Sequence, residues 1–242
     1  VARLASALVA RGLKRGDRVG VVALNSDRFI EAYFATWWAG GVIMPSNTRW
    51  AVPEHNYAIA DSGTKILLVD GNFAKLLPEL AAANAFQSVI LLDDGEAPPG
   101  MESVDAIIAS SQPLPDACGN GNELAGLFYT GGTTGRSKGV MLSHDSLISN
   151  FLCASGMLPY SAEPIFLHSP PMFHLADAAA VIGVTMRAGQ HVVIPFFSPE
   201  NVVTAIERHR CTDAVFVPTM FAMLRDGTLY SPPRPEILLT TT

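Results

Sequence analysis

A loop of glycines, threonines and one lysine carries the most chemical information in this sequence. Residues 128–144 read FYTGGTTGRSKGVMLSH, with apolar residues on both sides of the loop. Glycine permits positive φ and close backbone approach to a ligand, so successive N–H groups can converge on an anion. Thr130, Thr133 and Thr134 add hydroxyl donors, and a positive charge follows at Lys138. This combination predicts a phosphate-binding loop.

Two other interpretations of this segment, a P-loop and a flexible linker, are disfavoured. The P-loop of kinases and GTPases needs Gly directly before Lys and Ser or Thr after it. Here Ser137 precedes Lys138 and Gly139 follows, which disfavours a P-loop. A flexible Gly/Thr linker is the remaining alternative, although linkers are seldom bracketed by apolar segments.

Composition predicts a globular protein and excludes a nucleic-acid-binding surface. The chain has 242 residues, of which 49% are hydrophobic and 16% charged, enough for a buried core. Its net charge is −6, and the basic residues are scattered. Affinity for nucleic acid requires clustered Lys and Arg, so affinity for phosphate must here be local.

The cysteines and the apolar segments favour a cytoplasmic protein without a membrane span. Cys118, Cys153 and Cys211 are far apart and have neither metal nor redox spacing, which fits a reducing compartment. The longest uncharged stretch, residues 32–48, is slightly short for a spanning helix and contains Gly40, Gly41 and Pro45.

Hydrophobic periodicity predicts alternating strands and helices, which is typical of an α/β fold with a mostly parallel sheet covered on both faces. The predicted strands are 18–24, 42–45, 65–69, 88–92, 124–129, 164–168, 191–194, 213–217 and 236–240. The predicted helices are 1–11, 27–39, 53–62, 73–83, 103–109, 143–157, 176–187, 199–209 and 218–224. Ligands of such sheets bind beyond the carboxyl ends of strands, where the loop at 130–139 falls. Residues 93–123, rich in Gly, Pro, Ser and Asp, are expected to connect two subdomains.

The loop resembles the phosphate loop of the adenylate-forming superfamily, which includes acyl-CoA synthetases, luciferases and adenylation domains. The usual form of that loop is YTSGTTGxPKG. Gly131 stands at its Ser position and Ser137 at its Pro position, which removes one hydroxyl donor and some rigidity. The other glycines, the threonines and Lys138 remain.

Further segments resemble acyl-CoA synthetases in the same order along the chain. They are 16–25 (GDRV…N), 40–49 (GGVIMPSNTR), 54–63 (E…DSG), 171–174 (PMFH) and 217–219 (VPT). Each match is short, but together they span nearly the whole chain. The resemblance implies that residues 1–242 are part of the large N-terminal AMP-binding domain, a layered and mostly parallel α/β structure. The C-terminal domain is then absent from these residues, which we expect to be inactive alone.

The resemblance also implies the reaction and its participants. A small-molecule carboxylic acid attacks the α-phosphorus of ATP to give an acyl-adenylate, and a thiol, usually of coenzyme A, then displaces AMP. Mg²⁺ bridges phosphate oxygens. The implied phosphate-binding residues are Thr130, Gly131, Gly132, Thr133, Thr134, Gly135 and Lys138. Thr130, Lys138 and His174 are the residues implied in catalysis.

Histidines and tryptophans outside the loop each have two interpretations. The resemblance places His174 in the carboxylate and acyl pocket; the alternative is a strand-end histidine bonded to backbone. The residues around it, Phe173 and 175–180, favour an aliphatic acyl chain. A metal pair of His168 and His174 is disfavoured because no Cys or carboxylate accompanies it at a spacing typical of metal sites, so no metal ligand is predicted. His144 is expected to be a surface residue at a helix start and not a catalyst. Trp37, Trp38 and Trp50 are expected to pack rather than to form a ligand box.

Three functions from different classes remain open at this point. The first is an ATP-dependent acid–thiol ligase. The second is another adenylating enzyme, either an amino-acid adenylation domain or an aryl-acid ligase. The third is a non-catalytic nucleotide-binding or scaffold domain. The motifs that would separate them in the family lie beyond Thr242.

Overall fold

The computed structural model describes residues 1–130, 136–157, 161–226 and 238–241, without the side chains of 155–157, 226 and 238–241. The chain divides into two compact units. The first consists of residues 1–24 and 28–146, and the second of residues 25–27 and 147–242.

The first unit is built on a seven-stranded sheet. Its strands are β1 (Arg18–Val22), β2 (Val42–Pro45), β3 (Ile66–Val69), β4 (Ser88–Leu91), β5 (Glu102–Ser103), β6 (Leu124–Thr130) and β7 (Lys138–Ser143). The strand order is β5-β4-β3-β1-β2-β6-β7, and every neighbouring pair is parallel except β6 and β7. The central strands are continuously apolar and buried, as expected for strands covered on both faces.

Helices follow most of these strands. They are α1 (Ala2–Ala10), α2 (Asp27–Trp38), α3 (Val52–Ser62), α4 (Leu77–Ala83) and α5 (Val104–Ser110), with a 3₁₀ turn at Ala74–Leu76. In α3 the backbone N–H of Ala51 donates to the Glu54 carboxylate at 2.8 Å, which satisfies one unpaired donor at the helix start. The same helix ends at Gly63, whose φ of 65° lies in the left-handed region that glycine tolerates.

The second unit contains a four-stranded parallel sheet in the order β11-β10-β8-β9. Its strands are β8 (Ile165–His168), β9 (Gln190–Val193), β10 (Asp213–Phe216) and β11 (Leu238–Thr241). Its helices are α6 (His144–Met157), which starts in the first unit, α7 (Leu175–Met186), α8 (Pro199–His209) and α9 (Pro218–Asp226). Leu167, Val202 and Phe216 belong to one buried cluster of this unit.

The mostly parallel α/β architecture confirms the predicted fold class, and most predicted elements lie within a few residues of the observed ones. Two strands were missed. Strand β5 has only two residues, too few for a periodic pattern. Strand β7 occupies residues expected to be the end of the loop, so the loop joins two strands of a hairpin and does not lead directly into a helix.

The expected connector at 93–123 lies inside the first unit, and the chain passes to the second unit after Ser146. Hydrogen bonds attach this segment to the rest of the first unit. The indole N–H of Trp38 donates to Leu114 O at 2.7 Å, and Arg15 donates to Ala117 O at 3.1 Å. Among the described residues, no helix has the length and apolar character needed to cross a membrane.

The buried centre of the first sheet generates a stability prediction. Val21 on β1 is fully buried, whereas Val9 on α1 is 39% exposed. Val21→Ala should lower the free energy of unfolding by about 2 kcal/mol, from lost burial and the cavity left behind. Val9→Ala is the matched control and should change it by less than about 0.5 kcal/mol. Urea unfolding measures both, and equal losses would contradict the assigned core.

Candidate functional site

The β6–β7 hairpin brings Thr130 and Lys138 together. Thr130 ends β6, Lys138 begins β7, and the two are directly opposite in the antiparallel register. Opposite residues project from the same face with Cβ atoms about 5 Å apart. Both residues are exposed. The side chains of a threonine and a lysine therefore start from neighbouring positions on one face, where the glycine- and threonine-rich loop leaves the sheet.

The other face of the hairpin is packed against the first unit. The hydroxyl of Tyr129 donates to the Asp61 carboxylate at 2.6 Å. Burial, followed by the interaction with Asp61, raises the pKa of Tyr129, so the phenol stays a neutral donor. A Cβ at Gly139 would come within 2.9 Å of the Leu127 side chain and 3.1 Å of the Tyr129 ring. Only glycine fits there without a shift of these side chains.

Aromatic rings extend this packing to the residue that follows the loop. The guanidinium of Arg136 lies over the Tyr57 ring, 5.2 Å from its centroid. The Tyr57 ring contacts Tyr129 edge-on at 6.4 Å, and Trp50 contacts Tyr129 at 6.2 Å. A cation over an aromatic face is attracted by the ring quadrupole. These contacts attach the residues that flank the loop on both sides.

The inner residues of the predicted loop, Gly131, Gly132, Thr133, Thr134 and Gly135, lie outside the described residues. Their role stays a prediction. Lys138 forms no ion pair with a carboxylate in the part of the chain that the structure describes. Its charge is thus not neutralised there and can meet an anion.

The tryptophans of α2 and His144 have structural partners. The indole N–H of Trp37 donates to Ala125 O at 2.8 Å, and its ring contacts His144 edge-on. His144 is the first residue of α6, as predicted, but it is half-buried against Trp37 and not a surface residue. Burial lowers the pKa of His144. Packing rather than ligand binding accounts for these residues.

In the second unit His174 caps α7. It is exposed, and its Nδ1 accepts a long hydrogen bond of 3.4 Å from Ala176 N. The expected strand-end alternative is thus modified, because His174 stands at a helix start. A capping bond this long leaves the ring weakly held and still able to contact another group.

Asn25 holds the segment that leads to His174. Its side-chain amide donates to Pro170 O at 2.7 Å and accepts from Met172 N at 2.7 Å. Asn25 is 5% exposed, so both bonds are shielded from water. In the sequence, Asn25 stood out only as the last residue of the family-like segment 16–25. Its role could not be predicted, because its partners are nearly 150 positions away.

His168, considered above as a metal ligand, is instead fully buried in a hydrogen-bonded chain. Its Nδ1 lies 2.9 Å from Asp177 Oδ2, and its Nε2 lies 2.8 Å from Nδ1 of His191. His191 continues to the Thr185 hydroxyl at 3.0 Å. Among the described residues, no group of three or more His, Cys, Asp or Glu could hold a metal ion.

The hydrogen-bonded side chains of His168 and His191 predict that the stability of the protein depends on pH. Burial, and then the charge of the adjacent His168, lower the pKa of His191 from 6.5 to about 4. Between these values the unfolded state binds a proton at this residue and the native state does not. The free energy of unfolding should therefore fall as the pH decreases from 6.5 to about 4.

Urea unfolding across this pH window tests the expectation. His191→Gln should flatten the pH dependence, because the group responsible for it is gone. His209→Gln, at an exposed histidine of α8, is the matched control and should leave the dependence as it is. An identical slope in wild type and His191→Gln would show that another group is responsible.

Comparison with known proteins identifies the family. A family model described as AMP-binding enzyme matches residues 1–237. A feruloyl-CoA synthase from an Amycolatopsis species is 35% identical over 222 residues, which are 91% of this chain and 42% of that protein. The chain therefore spans less than half the length of this relative.

Solved structures show the same fold. The inhibitor-bound N-terminal domain of FACL13 from Mycobacterium tuberculosis has a TM-score of 0.85 and 26% identity, over 99% of this chain and 60% of that one. ATP-bound MatB from Rhodopseudomonas palustris has a TM-score of 0.79 and 33% identity, over 94% of this chain and 44% of that one. The family model matches residues 1–237, which is almost the whole chain, so the chain belongs to the AMP-binding enzyme family.

Proposed function

We propose that this chain supplies the ATP-phosphate-binding part of an acid–CoA ligase. The observation that carries the proposal is the pairing of Thr130 with Lys138 on one face of the β6–β7 hairpin, at the two ends of the glycine- and threonine-rich loop. Family membership and the ATP-bound relative MatB support it. A purely structural scaffold gives no reason for an unneutralised lysine at this position, and the exchange assay below separates catalysis from nucleotide binding alone.

The proposed reaction has two steps. A carboxylate oxygen attacks the α-phosphorus of ATP, the bond to the bridging oxygen breaks, and pyrophosphate leaves. The thiol of coenzyme A then attacks the acyl carbon of the adenylate, and AMP leaves with the electron pair of the acyl–oxygen bond. The first step brings an anion to a polyanion, so catalysis comes mainly from neutralising and orienting the phosphates.

The described residues supply two parts of that neutralisation. Lys138 provides a mobile positive charge, and Thr130 a hydroxyl donor on the same face. Tyr129, bonded to Asp61 on the opposite face, keeps the strand from rotating about its axis. Loop amides between residues 131 and 135 would complete the phosphate contacts.

Magnesium and the thiol donor enter the proposal only as reaction partners. Mg²⁺ would neutralise phosphate charge when bound with ATP. The described residues include no cluster of three metal ligands. Because Mg²⁺ in such sites keeps several waters and binds through substrate phosphates and one or two protein ligands, phosphate oxygens of ATP and water would provide most of its ligands.

The acid substrate is assigned to the second unit in this proposal. His174 presents an exposed ring, and its partly buried apolar neighbours Phe173 and Leu175 fit an aliphatic acyl chain. A second candidate is an aryl-acid ligase, favoured by the 35% identity with feruloyl-CoA synthase. Turnover of a panel of aliphatic and aryl acids by the full-length protein separates the two.

Lys138→Ala tests the phosphate assignment. In the full-length protein it should weaken ATP binding or slow adenylation by about 1.5–3 kcal/mol, the range for a hydrogen bond to a charged group. Lys65→Ala, at another exposed lysine of the first unit, is the control and should have no effect. Acid-dependent ATP–pyrophosphate exchange measures both, and an unchanged rate for Lys138→Ala would refute the assignment.

A pair of substitutions at His174 tests the acid assignment. His174→Ala should raise the KM of the acid or lower kcat while ATP affinity in a direct binding assay stays near wild type. His174→Asn removes the ring but keeps a good helix cap. If the ring contacts the acid, both variants should be impaired; recovery of wild-type kinetics in His174→Asn would show that only capping matters.

A further inference from the structure

Four side chains of the second unit connect an exposed hydroxyl to a buried carboxylate. Thr185 is exposed, His191 is half-buried, and His168 and Asp177 have no exposed surface. The links between neighbours measure 3.0, 2.8 and 2.9 Å. The second carboxylate oxygen of Asp177, Oδ1, is buried without a partner in the part of the chain that the structure describes. Among the described residues, the Asp177 carboxylate is thus stabilised by a single side-chain hydrogen bond, the one to His168.

The spacing of the two rings fits a hydrogen bond and not a shared metal ion. The facing nitrogens of His168 and His191 are 2.8 Å apart. Two imidazole nitrogens bound to one tetrahedral zinc ion, each at about 2.0–2.1 Å, would stand roughly 3.3 Å apart. The rings also stack at 5.1 Å with planes 19° apart.

Counting protons along the chain gives each group a role. The hydroxyl of Thr185 donates its single proton to Val181 O at 2.8 Å, because a carbonyl only accepts. The Thr185 oxygen then accepts from His191 Nε2, and His191 Nδ1 accepts from His168 Nε2. One further proton is shared between His168 Nδ1 and Asp177 Oδ2. The buried pair is then neutral overall, which avoids the high cost of an isolated buried charge.

The pair closes a loop of the backbone. His168 is the last residue of β8, and Asp177 lies in the first turn of α7, where its N–H donates to His174 O at 3.1 Å. The bond between the two side chains therefore joins both ends of the segment 169–176. Asn25 holds the middle of the same segment at Pro170 and Met172.

We propose that the hydrogen-bonded chain of His191, His168 and Asp177 is a positioning device that fixes the first turn of α7 and, through it, the ring of His174 for the acid substrate. This inference rests on the proposed function of His174. If the Asp177 carboxylate turned away, it would leave a buried charge without a partner, which is strongly unfavourable. The first turn of α7 therefore has one strongly preferred position.

Two amide substitutions of His168 separate positioning from simple packing. His168→Asn places its side-chain nitrogen near the position of Nδ1 and can keep the bond to Asp177. His168→Gln reaches toward the position of Nε2 and keeps the bond to His191 instead. Both variants lose the ring, and His168→Gln fills the buried site better than His168→Asn by one methylene. A role in packing alone therefore predicts that His168→Gln is at least as close to wild type in kinetics and Tm as His168→Asn, the reverse of the order expected for positioning.

Steady-state ATP–pyrophosphate exchange by the full-length protein is the readout. His168→Gln should raise the KM of the acid about tenfold, since small misplacements of a contacting group have effects of this size or larger, while the KM of ATP stays unchanged. His168→Asn should stay within about threefold of wild type. Thr185→Val, at the outer end of the chain, should behave as wild type. Equal KM values for the two His168 variants would overturn the proposal.

Two further measurements keep this inference separate from the proposed function. If none of the acids tested supports ATP–pyrophosphate exchange by the wild-type protein, the proposed function fails. Hydrogen exchange of the backbone amides of residues 172–177 then decides the inference. Faster exchange in His168→Gln than in His168→Asn would support it, and equal rates would overturn it. If neither variant folds, proton NMR of wild type decides. The ring proton shared with Asp177 should resonate downfield of the amides, and its absence would overturn the inference.

Discussion

The register of the β6–β7 hairpin is the constraint on which the candidate phosphate site depends. Side chains alternate between the two faces of a strand, so a shift of one residue would move Lys138 to the face of Tyr129. The packing around Gly139 disfavours that shift, because a residue with a Cβ at this position would have to displace the Leu127 side chain and the Tyr129 ring. The bond from Tyr129 to Asp61 then fixes this packed face. Packing on one face thereby places a hydroxyl and a positive charge on the other.

The second unit uses the same principle with buried polar groups. Asn25 satisfies a carbonyl and an N–H of the segment before His174, and His168 and Asp177 join the ends of that segment. A buried polar group without a partner is costly, so each of these bonds selects a single backbone arrangement. In both units, residues that never touch a substrate in our proposals determine where the contacting residues lie.

The sequence was sufficient for the parallel core and insufficient for the supports of the site. Strands β2, β3 and β4 are uninterrupted apolar runs, which made them visible without any partner. Strand β7 was missed because none of its residues is buried, it starts at a lysine and it contains a glycine. Its strand character arises from pairing with β6. The partners of Asp61 and Asn25 are 68 and about 145 positions away, a separation that no local pattern encodes. Only the bond from His168 to Asp177 had a local signal, a histidine at a strand end and a carboxylate in the next helical turn.

A crystal structure of the full-length protein with bound ATP tests the central claim most directly. The account predicts that Lys138 Nζ and Thr130 Oγ1 both lie within about 3 Å of oxygens of the β- or γ-phosphate, the distance of charge-assisted hydrogen bonds. The β6–β7 register should be unchanged in that complex. A triphosphate bound with both atoms more than about 6 Å from every phosphate oxygen, too far for even a water-bridged contact, would contradict it.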